Sequence, residues 1–263
     1  MNPRVSAVSF LNTVPLVWGM LHGDQRGLFD LSFSIPAECA DALAAGRADI
    51  GIVPSIELTR QPLEVIPGAG IACHGAVRSI LLVAKVPPDR IRTLAADASS
   101  RSSVMLSRVI LARRYGAEPR LVSMPPDLPK MLQAADAALV IGDPALRIDS
   151  AALPFPVLDL GAEWCEMTGL PMVFAVWARR RDVPPAGLTA AFENSCRYGL
   201  SHIEDIVRQE AAPRGITEAL ARDYFARNVV LELGQREYEG MRLFLQYGRE
   251  FDTVVSTEGA NAL

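Results

Sequence analysis

The sequence predicts an α/β fold built as two lobes, and three observations carry that reading. Half of its 263 residues are hydrophobic and 21% are charged, enough apolar material for a folded core and more chain than one lobe usually takes. Short apolar runs alternate with helical patterns over the first two thirds, the rhythm of α/β units around largely parallel sheets. Two apolar strands then leave into stiff, charged connections of the same form. Ile80 to Ala84 runs into Lys85 and Val86-Pro87-Pro88, and Met172 to Ala178 runs into Arg179 to Asp182 and Val183-Pro184-Pro185. Such connections suit a chain crossing between lobes, although two ordinary loops of one lobe read alike. Taken as crossings, they predict one lobe from residues 1–84 and 177–263 and a second from 85–176.

Each element follows from its local pattern. Val5 to Phe10 reads as the first strand. The run on to Leu21 reads as a mature strand and turn rather than a secretory leader, because Ser6, Ser9, Asn12, Thr13 and Pro15 interrupt the apolar run and no small-residue cleavage site follows. Pro36 to Ala45 reads as a helix with Cys39 and Leu43 on one face, ended by Gly46, and Asp49 to Val53 as the next strand. Ile80 to Ala84 is a further strand. Thr93 to Ala96 leads into the turn Ser99-Ser100-Arg101-Ser102-Ser103 and a helix to Tyr115 with Met105, Val109 and Ala112 on one stripe. A strand near Leu121, a helix from Pro129 to Ala134 and a buried strand from Ala137 to Ile141 complete another unit. After Met172 to Ala178 the chain is mostly helical, over Thr189 to Gln209, Thr217 to Arg227 and Gly234 to Arg249.

Charge narrows the partners. Lys and Arg number 26 against 30 Asp and Glu, a net charge of -4, so the overall field attracts neither nucleic acid nor an anionic membrane. No apolar stretch reaches the roughly 18 residues of a spanning helix. Cys39, Cys73, Cys165 and Cys196 stand far apart with no zinc-site or disulfide spacing, which suits a reducing cytoplasm. Signatures for nucleophile elbows, phosphate loops, dinucleotide turns and zinc helices are missing, and His22, His74 and His202 are scattered. These features predict neither a metal nor an organic cofactor.

Polar groups at strand ends carry more information, because open α/β sheets bind ligands outside the carboxyl ends of their strands. Those ends hold Ser9, Asn12, Ser55, Ser79, Ser100 to Ser103 and Asp143. Small neutral donors suit an oxygen-rich organic anion better than a metal, though each residue alone also fits capping and turn chemistry. The turn Ser99 to Ser103 opens a helix, so free N–H groups, the dipole, the hydroxyls of Ser100, Ser102 and Ser103 and the Arg101 guanidinium converge on one anion site. Trp164 and the turn Thr168-Gly169 precede the second crossing strand and are placed to close over a ligand; Trp164 equally fits the core. The run Arg179-Arg180-Arg181 reads as a solvated hinge surface.

Five strings, taken in order, resemble a known family: SFLNTVPLVWGM (9–20), LAAGRADIGIVPSIE (43–57), ASSRSSVMLSRVIL (98–111), PPDLPKMLQAADAALVIGDPAL (125–146) and WCEMTGLPMVFAVWARR (164–180). The family is the chorismate dehydratases of the futalosine route to menaquinone. The strings run in order through the first 180 residues, and the helical tail adds little to the resemblance. That resemblance implies a type II periplasmic-binding-protein-like fold with the ligand in the cleft between lobes, and a cytoplasmic carbon–oxygen lyase needing no cofactor. Chorismate is the implied small-molecule substrate, losing water to give 3-[(1-carboxyvinyl)oxy]benzoate. Asn12 matches the family's active-site asparagine, Ser79 a cleft serine, and Ser100 to Ser103 its carboxylate-binding turn. The alternative is a non-catalytic cytosolic binder or sensor of a cyclic carboxylate on the same fold.

Overall fold

Arg4–Val8 (β1) is buried from its second residue onward, the pattern of a strand covered on both faces. The computed structural model describes residues 2–97 and 99–260. Met1, Ala98 in the predicted second lobe and 261–263 in the predicted tail of the first lie outside the described residues. After β1 the chain forms α1 (Val14–His22), β2 (Asp30–Ser34), α2 (Pro36–Ala44), β3 (Ile50–Pro54), β4 (Leu63–Cys73) and β5 (Ile80–Ala84). Next come β6 (Thr93–Asp97), α3 (Arg101–Tyr115), β7 (Arg120–Met124), α4 (Leu128–Ala134), β8 (Ala137–Ile141), α5 (Gly142–Leu146), β9 (Val157–Asp159) and α6 (Leu160–Thr168). The chain returns through β10 (Met172–Arg180) and ends in α7 (Leu188–Ser201), α8 (Ile203–Glu210), α9 (Glu218–Arg227), β11 (Val230–Glu232) and α10 (Gln235–Ala260).

The strands assort into two sheets, one for each lobe, ordered β11-β4-β10-β3-β1-β2 and β7-β6-β8-β5-β9. Only β1 with β2 and β3, and β6 with β7 and β8, pair in parallel. The remaining pairs are antiparallel, so the sheets are mixed rather than largely parallel. The antiparallel pairs include those of the strands that follow each crossing, β5 against β8 and β9 and β10 against β3 and β4.

Sheet membership moves the predicted crossings. Ile80–Ala84 pairs with β8 and β9, so the chain leaves the first sheet between Cys73 and Ile80, not after Ala84. Met172–Arg180 pairs with β3 and β4 along its length, so the return lies at residues 169–171. Residues 80–84 therefore belong with the second lobe and 172–176 with the first. The proline-bearing stretches are ordinary loops within a lobe, as the sequence also allowed.

Other boundaries shift for local reasons. The first strand stops at Val8 because Phe10 precedes a tight turn at Leu11–Thr13, and Pro15 then sits in the first turn of α1, a helix the sequence reading did not contain. Gly46 does follow α2, with φ of 68°, a conformation glycine adopts at no steric cost. The long helix expected over 189–209 breaks at His202, whose φ of −118° and ψ of 25° leave the helical region. Trp164 and Trp177 are fully buried, the first edge-on to Phe244 and the second edge-on to Phe192, so α6, α7 and α10 dock on the sheets through aromatic contacts.

Candidate active site

The carboxyl ends of β1, β3, β6 and β8 meet around one cleft, whose empty space of about 470 Å³ extends into open solvent. The first lobe supplies Phe10, Asn12, Pro36, Pro54 and Phe174 to its wall, the second Ser100, Ser103, Ile141 and Gly142, and the crossing between β4 and β5 adds Val77 and Ser79. No lining residue carries a titratable side chain. Polar contact there comes from one amide and three hydroxyls on an apolar surface.

The turn holding Asn12 is fixed by the opposite lobe. Leu11 N donates to Asp143 Oδ1 at 2.9 Å, and Phe10 stacks against Gly142, where a Cβ would lie 2.6 Å from the ring. Gly142 also has φ of 63°, so that position suits glycine twice over. Burial pushes the Asp143 carboxyl above its ordinary range, while the Leu11 N–H and Arg214, 3.3 Å away, pull it back. Asp143 thus supports the site from behind and does not face the cavity.

Helix physics sorts the serines. Ser100 caps α3 by accepting from Ser103 N, and its hydroxyl lies 3.0 Å from that of Ser103, so both face the cavity at the positive end of a fifteen-residue helix. Ser102 points elsewhere: its oxygen accepts from Ile56 N and lies 3.2 Å from Ser55 Oγ, while Ser55 donates to the Val173 carbonyl. Arg101 also turns from the cavity and bonds Asp41 at 2.8 Å and Glu57 at 3.2 Å. Burial draws its pKa down, but the two carboxylates together carry it above the ordinary value. Of the turn expected to hold an anion, only Ser100 and Ser103 line the cavity.

Three more expected contacts leave the wall. Ser9 is exposed, and its carbonyl accepts from Arg214. Thr168 bonds the Trp164 carbonyl and Gly169 caps α6 with φ of 69°, a helix end that does not line the cavity. Tyr224 of α9, which the sequence reading missed, is fully buried with its hydroxyl 3.0 Å from Ser79 Oγ. Its only sequence signal is an aromatic on an amphipathic helix, which reads as core. Among the described residues no three His, Cys, Asp or Glu side chains are grouped to hold a metal, and no helix is long and apolar enough to cross a membrane.

Two mixed sheets exchanging strands around an apolar cavity define the class, a two-lobed protein of periplasmic-binding-protein-like fold. Solved structures share it: a protein from Archaeoglobus fulgidus (TM-score 0.72, 18% identity, 97% of this chain and 98% of that one) and the periplasmic aliphatic sulphonate binding protein SsuA from Escherichia coli (0.66, 16%, 96% and 87%). A Candida albicans gene product with the generic periplasmic binding protein fold aligns at TM-score 0.59, 13% identity, over 94% and 90% of the two chains. Within that class the chain belongs to the menaquinone biosynthesis family, whose model matches residues 3–250. It is similar to the chorismate dehydratase of Thermus thermophilus, with 29% identity over 236 residues, 83% of this chain and 86% of the relative.

Proposed function

We propose that the protein is a chorismate dehydratase, a carbon–oxygen lyase that removes water from chorismate to give 3-[(1-carboxyvinyl)oxy]benzoate. The observation that carries the reading is a cavity of apolar walls whose polar side chains are all neutral donors, in a chain of the menaquinone biosynthesis family. Chorismate needs little more. Its C3–H and C4–OH leave as water, the C–H electron pair becomes the C3–C4 double bond, and the ring turns aromatic, which supplies the driving force.

With no titratable side chain on the wall, the proton acceptor is the substrate's own enolpyruvyl carboxylate, held over C3 in a site that excludes water. Asn12 and Ser79 orient the C3 and C4 region and donate to the departing hydroxyl, while Ser100, Ser103 and the α3 N-terminus take the ring carboxylate. A cytoplasmic setting goes with this reading, and the four cysteines, all free thiols, suit a reducing compartment. Incubating purified protein with chorismate tests it: absorbance of a substituted benzoate should grow as chorismate disappears, with loss of one water by mass. Chorismate bound tightly and recovered unchanged would instead make the protein a binder.

A further inference from the structure

We propose that Tyr224 is a positioning residue for this reaction, its buried phenol fixing the direction in which the Ser79 hydroxyl presents its proton to the cavity. The inference rests on the dehydratase reading. Tyr224 stands on α9 in a cluster with Leu11, Leu146 and Val207, where a phenylalanine would pack as well and would need no polar partner. Its hydroxyl instead lies 3.0 Å from Ser79 Oγ, which lines the cavity beside Asn12. A residue of the helical tail is therefore bonded to one of the polar groups that flank the proposed C3 and C4 position.

Hydrogen-bond bookkeeping gives the chain a direction. Tyr224 is fully buried, and among the described residues Ser79 Oγ is the acceptor within reach of its hydroxyl, so the phenol gives its one proton to Ser79. Ser79, accepting there, has its own proton left for the cavity, and successive bonds of this kind strengthen one another. Burial holds the phenol pKa well above its ordinary value despite the contact with Ser79, so the phenol keeps its proton throughout the working pH range.

The test compares parent, Tyr224→Phe, Ser79→Ala and the double variant, with kcat and KM for chorismate and calorimetric affinity for the benzoate product measured on each. Tyr224→Phe should lower kcat about tenfold and change product affinity less than threefold, and it should lower kcat no further once Ser79 is alanine. Incorporating 3-fluorotyrosine at position 224 keeps the ring and makes the phenol a stronger donor; kcat should then rise, which a purely structural role would not produce. An unchanged kcat in Tyr224→Phe, equal falls with and without Ser79, or no response to fluorination overturns the inference while the parent still turns over chorismate. A parent protein that makes no product overturns the dehydratase reading and this inference together.

Discussion

Serines at 100 and 103 lie one helical turn apart and share a face, while 102 lies on the far side from 100, so geometry alone divides the cluster into cavity and lobe contacts. Each hydroxyl bonded to a carboxylate is worth roughly 1.5 to 3 kcal/mol, and about 1.4 kcal/mol is tenfold in affinity. Replacing Ser100 and Ser103 together by Ala should weaken binding of the benzoate product about a hundredfold in a calorimetric titration, whereas Ser102→Ala should stay within a few-fold. Equal losses from both would return Ser102 to the anion site. Asn12→Ala should cut kcat by about a hundredfold or more, as removal of one preorganised donor does elsewhere, and a folded variant of near-normal turnover would exclude it. The strand-end rule named Asn12, Ser79, Ser100 and Ser103, which line the cavity, and also Ser9, Ser55 and Asp143, which do not. It fixes where a residue stands and not where its side chain points. Tyr224 gave no signal because its role arises only where the distant α9 meets the β4–β5 crossing.

The crossing between β4 and β5 is tied to α6 by one carboxylate. Asp159 Oδ1 accepts from Val77, Gly161 and Ala162 N, and Oδ2 accepts from Arg78 N at 2.6 Å. Arg78 carries φ of 64°, a left-handed conformation uncommon outside glycine, and it immediately precedes Ser79. Asp159→Ala releases that backbone and leaves buried N–H groups unpaired. It should cost about 2 to 4 kcal/mol of stability in a denaturant titration and lower turnover as well by letting Ser79 drift. Full turnover with lowered stability would show that Ser79 keeps its place without this tie. Strands such as Ile80–Ala84 and Ala137–Ile141 were legible because every residue in them is buried and apolar. The edge strand Asp30–Ser34 was not, since its exposed, polar pattern resembles a loop. Which sheet a buried strand joins leaves no local mark, because strands covered on both faces look alike whichever partners they have. That is why both crossings were placed late, the first by one strand and the return by several residues.

Several contacts among the described residues hold the lobes together around the cavity. Leu11 and Arg214 meet Asp143, Ile56 meets Ser102, Phe10 lies on Gly142, and Arg101 bonds Asp41 and Glu57. We expect substrate to enter when these contacts part and to be retained when they re-form. Arg101 is the contact to probe, because it lies outside the cavity wall and its loss leaves the donors of the site untouched. Glu57 is only 1% exposed, so a guanidinium beside it is screened far less than a surface pair. Removing Arg101 shifts the lobes toward the open arrangement, and apparent affinity falls by the fraction of molecules still closed. At about 1 to 2 kcal/mol for the lost pair, Arg101→Ala should raise KM for chorismate roughly tenfold while kcat at saturation changes little. Solution scattering should give the unliganded variant a larger radius of gyration than the parent, and saturating product should bring the two together. If the variant lowers kcat and leaves both KM and the scattering profile unchanged, Arg101 acts on the bound substrate and not on closure of the lobes.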